Sequence, residues 1–316
     1  MQVSVVVPTF NRREIVLRTI KTLFAQDFPA AQYEIIVVVD GSTDESAAAL
    51  RALHPACRFR VIAQENRGLA GARNTGFRAA ESELIIFLDD DMLCDSMLVR
   101  EHCVAHLPNQ AAIGFGAIFL SPDSPPSLAA ECFNREVGAY YLRHKQNPET
   151  PWPRSACVFG NTSIPRKVLI GAGGFDERFR MREDAELGAR LLAAGVEPRY
   201  VPTAVAYQSY RKAAGDLIRD AQAFALPDRL FLREHPELAG ETFLGRIANE
   251  PRWKRAIRRT AAACPAVADV VLAPFCWLGE ASPHVKVLRD LGVRALQLRR
   301  GIHWYRKALS SEENRT

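Results

Sequence analysis

An α/β fold with a mostly parallel sheet is what the chain predicts, on two observations. Short β-branched runs alternate with helical patterns through the first ninety residues, and each run is followed by a polar or glycine-containing loop. The strands are expected near Val3–Val7, Glu34–Val39, Phe59–Ala63 and Leu84–Leu88. Between the first two, Arg12–Ala25 carries Ile15, Leu17, Ile20, Leu23 and Phe24 at helical spacing. Thr43–Leu53 can start on a Ser42 cap, and Gly71–Ala80 is a third helical stretch.

Right-handed crossovers place the carboxyl ends of such strands along one edge, where ligands bind. Four loops should therefore meet there: Pro8-Thr9-Phe10-Asn11, Asp40-Gly41-Ser42-Thr43-Asp44, Gln64-Glu65-Asn66-Arg67-Gly68 and Asp89-Asp90-Asp91. Ser121–Pro165 is irregular, with Pro122, Pro125, Pro126, Pro148, Pro151, Pro153 and Pro165, and is expected to be loops or an insertion beside the sheet. A helix is expected over Glu183–Ala194 with Gly195 as its stop, followed by an apolar stretch at Tyr200–Ala206. Helical, arginine-rich patterns without strand alternation then take over, so the chain is divided into residues 1–210 and a basic helical appendage, 211–316.

The 316 residues are enough for one large or two ordinary domains, and 48% hydrophobic with 24% charged residues excludes collagen-like, disordered and fully membrane-embedded classes. The net charge of +5 is uneven. Residues 1–210 hold 22 Lys and Arg against 24 Asp and Glu, whereas the remainder holds 19 against 12. Seven cysteines without a CxxC pair fit neither a zinc cluster nor a disulfide framework. With no signal-peptide pattern before Val3, a reducing cytoplasmic setting is expected.

Three clustered carboxylates at an open strand end need a counter-charge, and oxygen ligands in that number suit Mg²⁺ or Mn²⁺ completed by substrate phosphates. The alternative for Asp89-Asp90-Asp91 is an acidic turn capping a helix that begins near Met92. The turn at Asp40 offers glycine and amide donors to a base or ribose, or is simply an Asp-Gly turn with a cap. Arg67, Gly68 and Arg73 could face a diphosphate. His102 and His106 have helical i, i+4 spacing but no third metal ligand, and surface or packing roles are expected.

At these residues the chain resembles the family 2 glycosyltransferases. Ser4–Asn11, Val37–Asp44, Asn66–Gly76 and Phe87–Asp91 are similar to the family's four successive nucleotide-sugar segments, the last being its D-x-D motif. Gly173-Gly174-Phe175-Asp176-Glu177, followed by Arg182-Glu183-Asp184, resembles its acceptor-side segment. The resemblance spans two-thirds of the chain and implies the nucleotide-sugar-binding fold called GT-A. It implies that Pro8, Thr9, Asn11, Asp40, Gly68, Arg73, Asp89 and Asp90 bind the nucleotide sugar, with Asp40 at the base. It further implies that Asp91 and Asp89 hold the Mg²⁺ or Mn²⁺, that Gly174, Phe175 and Glu183 lie on the acceptor side, and that Asp184 is the general base. Two residues depart from the pattern: Val39 stands where an aspartate is usual, and Gln208 where a histidine is usual.

The activity so implied is sugar transfer from a nucleoside diphosphate sugar, with UDP the expected nucleotide, to an acceptor hydroxyl by inverting displacement. A glycan or lipid-linked acceptor in polysaccharide or glycolipid synthesis of the cell envelope is the expected partner. A non-catalytic nucleotide-sugar-binding or scaffold protein is the alternative, against which Asp91 and Asp184 count. A nucleotidyltransferase would carry a Gly-rich basic phosphate loop, unlike Pro8-Thr9-Phe10-Asn11-Arg12.

The basic tail raises two expectations. Trp253-Lys254-Arg255-Ala256-Ile257-Arg258-Arg259 has the composition of an interfacial helix, so residues 253–309 are a candidate peripheral contact with the inner face of the cell membrane. The spacing of Leu288, Leu291, Ala295, Leu298, Ile302, Tyr305 and Leu309 allows packing or homo-oligomer formation. With few aromatics and no recognised module there, nucleic-acid binding is not expected.

Overall fold

The computed structural model describes residues 2–106, 111–147 and 157–313. The chain forms two compact units, Met1–Pro122 with Gly138–Ser209, and Asp123–Val137 with Tyr210–Thr316.

The first unit runs β1 (Val3–Thr9), α1 (Arg13–Phe24), β2 (Tyr33–Asp40), α2 (Ser46–Arg51), β3 (Arg58–Gln64), α3 (Gly68–Ala79), β4 (Leu84–Leu88), β5 (Met92–Cys94), α4 (Leu98–Val104) and β6 (Ala112–Leu120). After α5 (Leu128–Gln146) come β7 (Asn161–Pro165), α6 (Arg166–Gly171), α7 (Glu183–Ala193) and β8 (Glu197–Gln208). Among the described residues the strands form one eight-stranded sheet, ordered β3-β2-β1-β4-β7-β6-β8-β5.

Its first half is parallel: β1 pairs with β2 and β4, and β2 with β3. β1, β2 and β4 are buried along their whole lengths, as continuous apolar runs in a parallel sheet covered on both faces must be. Antiparallel pairing begins where β4 meets β7, and β5 and β6 add antiparallel partners to β8 and β7. β6 nevertheless runs parallel to β8, so the sheet is mixed.

The helix expected over Glu183–Ala194 is present as α7, and Gly195 at φ +82° takes the left-handed position that ends it. The loop expectation for Ser121–Pro165 is corrected: Leu128–Gln146 is a helix. The prolines that suggested loops flank this segment and leave its interior free of helix breakers. Pro148, Pro151 and Pro153 lie outside the described residues.

His102 and His106 have the expected packing role. Buried His102 hydrogen-bonds Ser163 Oγ through Nδ1 at 2.8 Å and Asn161 Oδ1 through Nε2 at 2.9 Å, while His106 Nε2 reaches the same Ser163 Oγ at 2.8 Å. Burial pushes both imidazoles down to about 4.

The second unit adds α8 (Ala214–Glu234), α9 (Phe243–Ala248), α10 (Arg252–Ala263), α11 (Pro265–Ala281) and α12 (Lys286–Glu313). Ala225, Ile247, Ala262, Trp304, Tyr305 and Ala308 form its core, and the buried Trp304 indole N–H donates to Asp228 Oδ2 at 2.8 Å. Of the stripe expected along α12, Ala295 and Tyr305 are buried and Leu309 packs against the core, whereas Leu291 and Leu298 are exposed; Val293, Leu296, Trp304 and Ala308 widen the buried face. No single helix among the described residues is long and apolar enough to cross a membrane; α10 and α11 meet that test only together, and they are bent by 92°.

Neutral buried imidazoles destabilise the fold in acid. Between an ordinary histidine pKa and about 4, the unfolded chain binds protons that folded His102 does not, so their contribution to stability falls as pH falls through this window. Urea denaturation of the parent and His102→Gln should show a stability gap that narrows by about 1 kcal/mol per pH unit below pH ~6. A gap independent of pH would refute this.

Candidate active site

Asp89-Asp90-Asp91 forms the turn between β4 and β5, so a strand follows it and the helix-cap alternative is removed. The Asp89 backbone N–H donates to the Gly160 carbonyl at 3.1 Å. A Cβ at Gly160 would stand 2.6 Å from Asp89 Oδ2, so glycine there leaves the carboxylate its place. Asp90 is buried, accepting from Thr9 Oγ1 at 2.7 Å and Arg12 Nη1 at 2.5 Å. Asp91 accepts from Arg12 Nη2 at 3.1 Å and from Gln208 Nε2 at 3.2 Å. Burial raises the Asp90 carboxyl to about 7 and also raises Asp91, with Arg12 opposing both shifts.

One side chain joins this turn to α7. Arg73, in α3 and only 2% exposed at its side chain, donates through Nη2 to Asp89 Oδ1 at 2.9 Å and through Nη1 to Glu183 Oε1 at 2.8 Å. Its guanidinium carbon lies 5.5 Å from the ring centre of Phe175, which packs edge-on against Phe87 and Phe159. Asn74, next along α3, grips the same segment: its Nδ2 donates to the Phe175 carbonyl and its Oδ1 accepts the Phe175 N–H, both at 2.9 Å.

Glu183 and Asp184 occupy the first turn of α7, directly after Arg182 at the left-handed φ of +70°. Left-handed backbone at a non-glycine residue costs about 1 kcal/mol or more and persists where surrounding contacts demand it. Desolvation raises both carboxyls, Glu183 to about 7, while the charge of Arg73 opposes the rise.

The first two loops are tied together by Asn11, at φ +51°, whose Oδ1 accepts the Thr43 N–H at 2.7 Å and whose own N–H donates to Ser42 Oγ at 2.9 Å. Asp40 ties the second loop to the third: it accepts the Arg67 and Gly68 N–H groups at 2.9 and 2.8 Å and Gln64 Nε2 at 2.7 Å. Gly68, at φ +78°, opens α3 beneath the exposed Arg180 guanidinium.

Residues 4–170 match the family described as Glycosyl transferase family 2. The chain belongs to glycosyl transferase family 2. Validoxylamine A glucosyltransferase of Streptomyces hygroscopicus subsp. jinggangensis is 32% identical over 271 residues, covering 76% of this chain and 62% of that protein. Chondroitin synthase of Escherichia coli is 30% identical over 65% of this chain and 34% of its own length. The chain thus spans less than two-thirds of the curated relatives it matches. In fold it is similar to mannosyltransferase PcManGT from Pyrobaculum calidifontis, solved in complex with GDP-Man and Mn²⁺, at a TM-score of 0.65 and 21% identity over 98% of this chain and 88% of that one. Staphylococcus aureus TarS 1–349 in complex with UDP-GlcNAc gives a TM-score of 0.55 at 16% identity, over 99% and 92%. The architecture is therefore the GT-A-like one that the motifs imply.

Against the family 2 pattern, Asp89, Asp90, Asp91, Glu183 and Gln208 meet at one edge, and Asp184 adjoins them in sequence. Several residues expected to bind the donor or acceptor also make contacts within the protein. Arg73 is buried between two carboxylates, and Phe175 and Gly174 are buried, with Phe175 held by Asn74 of α3. Thr9 and Asp90 spend their polar atoms on each other, and Pro8 is buried in β1 opposite Val38. Asp40 is likewise buried and holds the amides that open α3. Arg12 was missed by the sequence reading, although its place one residue after Asn11 was the available signal.

No group of three or more acidic, histidine or cysteine side chains that could cage a metal occurs among the described residues. Asp91 and Asp89 nonetheless fit a hard divalent cation that keeps water and takes substrate oxygens. Both offer carboxylate oxygens, the Gly160 cradle leaves Asp89 Oδ2 its place, and Asp91 would exchange its contact with Arg12 for the cation.

Removing the Arg73 guanidinium strands Asp89 and Glu183. Arg73→Met should cost about 3 kcal/mol or more in urea denaturation, and Arg73→Lys less, since one ammonium cannot span both partners. Equal stability of parent and Arg73→Met would show that the bridge contributes nothing.

Proposed function

We propose that this chain is a glycosyltransferase moving a sugar from a nucleoside diphosphate sugar, with UDP as the preferred nucleotide, to an acceptor hydroxyl by inverting displacement. The observation that carries this reading is the Asp89–Arg73–Glu183 bridge. It ties the turn that would hold the donor diphosphate to the helix start that carries a second carboxylate, Asp184. Relatives named as a glucosyltransferase and as a poly(ribitol-phosphate) β-N-acetylglucosaminyltransferase, together with a TarS complex containing UDP-GlcNAc, support this donor class.

Asp184 takes the proton of the acceptor hydroxyl as that oxygen bonds to the anomeric carbon and the bond from that carbon to the diphosphate breaks. Its raised pKa, caused by desolvation and moderated by Arg73, makes it a stronger base than an exposed aspartate. Asp91 and Asp89 would hold Mg²⁺ or Mn²⁺, which when bound supplies positive charge to the leaving diphosphate. Arg73 keeps Glu183 and Asp89 from repelling the site open. Asp40 and Asn11 hold the loops against which the base would lie.

A glycan or lipid-linked hydroxyl in cell-envelope polysaccharide or glycolipid synthesis is the acceptor class we favour. Relatives named for chondroitin and poly(ribitol-phosphate) support it.

Calorimetric titration with UDP, GDP, dTDP and CDP, each with and without Mn²⁺, should give metal-dependent binding of UDP that Asp91→Ala loses. A folded sample that binds none of the four overturns the reading. Asp184→Asn should lower turnover by about 10²–10⁴-fold while leaving nucleotide binding intact. Because the Asp184 carboxyl is raised, kcat/KM should fall on acidification at a pH above the ordinary aspartate range, and a profile flat down to that range would remove Asp184 as the base.

A further inference from the structure

The second unit presents a helix face that is apolar from end to end. On α11, Val267, Val270, Val271, Pro274, Trp277 and Leu278 recur three and four residues apart and are all exposed, Val270 by 77% and Trp277 by 68%. The opposite face is already occupied. Pro265, Cys276 and Gly279 are buried, and Asp269 accepts from Arg299 Nε at 2.8 Å and His303 Nε2 at 3.0 Å, both on α12. Single exposed apolar residues are ordinary, whereas a contiguous stripe of this kind marks an interaction surface.

The preceding helix supplies the charge. Trp253 and Ile257 lie one turn apart on α10, each 61% exposed. At 100° per residue Lys254 stands about 80° from the middle of this pair, and Arg252 and Arg259 stand about 120° and 140° from it in the other direction. All three cations are exposed; Lys254 lies 5.4 Å from the ring centre of Trp253 and its charge acts on Glu250, Arg252 and Arg259 form no ion pair among the described residues, and residues 251–264 contain no acidic side chain. Glu250 is engaged by Arg258 at 2.7 Å.

We propose that the α10–α11 face is an interfacial binding surface for an anionic lipid bilayer, an inference that stands independently of the donor and acceptor chemistry. Trp277, Val270 and Val271 enter the boundary between headgroups and acyl chains, Trp253 lies at headgroup level, and Arg252, Lys254 and Arg259 meet lipid phosphates. The excess of cations along α10 selects lipid over a second copy of the chain. A two-fold interface would set the same cations against themselves.

The full chain should float with phosphatidylcholine vesicles containing phosphatidylglycerol, at low salt more than at high salt, and not with phosphatidylcholine alone. Val270→Asp with Trp277→Ser should cut binding about tenfold or more, and reversing Arg252, Lys254 and Arg259 to glutamate about a hundredfold, abolishing the anionic preference. Because such variants change the surface strongly, the parent is also followed by tryptophan fluorescence: vesicles should shift its emission to the blue, and Trp253→Phe with Trp277→Phe should lose the shift. A parent chain that ignores anionic vesicles overturns the proposal. So does a dimer in sedimentation that Val270→Asp dissociates while no vesicle binding occurs, which would assign the face to a second copy.

Discussion

Arg73 carries a full positive charge at a side chain with almost no access to water, and the arrangement of the site follows from the need to neutralise it. An isolated guanidinium in that position would be prohibitively costly, so two carboxylates must approach it, and they come from elements far apart in the chain: Asp89 after β4 and Glu183 at the start of α7. The bridge is electrostatic in origin but geometric in effect. It sets the distance between the turn after β4 and the start of α7. Phe175, packed under the guanidinium with Phe87 and Phe159, gives the ion triad an apolar floor that resists collapse.

Around this triad the remaining polar residues work in pairs that free the edge of the sheet for a ligand. Thr9 and Arg12 satisfy Asp90, Gln208 and Arg12 satisfy Asp91, and Asp40 absorbs the amides that would otherwise be orphaned where α3 begins. Several side chains expected to bind the donor are thus also buried and hydrogen-bonded within the protein. A buried hydrogen-bonded group holds its neighbour to one orientation.

The helical unit is built on different terms. Its core rests on Trp304 and Tyr305, and its long α12 buries the face that carries the aromatics while leaving Leu291 and Leu298 in water. α11 packs one face inward and leaves an uncharged face outward, after a helix that carries five cations and no acidic residue. Such a surface is tolerated in water only at a cost in solvation, which an interface would recover.

Much of the first unit was legible in the chain. The apolar runs of β1, β2 and β4, the polar loops after them and the Gly195 stop of α7 are local signals, fixed by side-chain burial and backbone preference over a few residues. The clustering of Asp89, Asp90 and Asp91 with Glu183 followed from motif order, since parallel strands send their loops to one edge. Other features were not legible. Leu128–Gln146 was hidden by prolines that flank it, and the two faces of α12 differ only in what packs against them. Neither the Arg73 bridge to Asp89 and Glu183 nor the place of Arg12 opposite Asp90 and Asp91 could be seen, because no local signal records which charge a side chain will meet. The sequence by itself determined which residues form strands, turns and helices, these being short-range consequences of hydrophobic period and backbone stereochemistry. Only the tertiary structure decided which polar groups are spent on one another and which are left facing solvent, because that depends on burial and on contacts between residues a hundred positions apart.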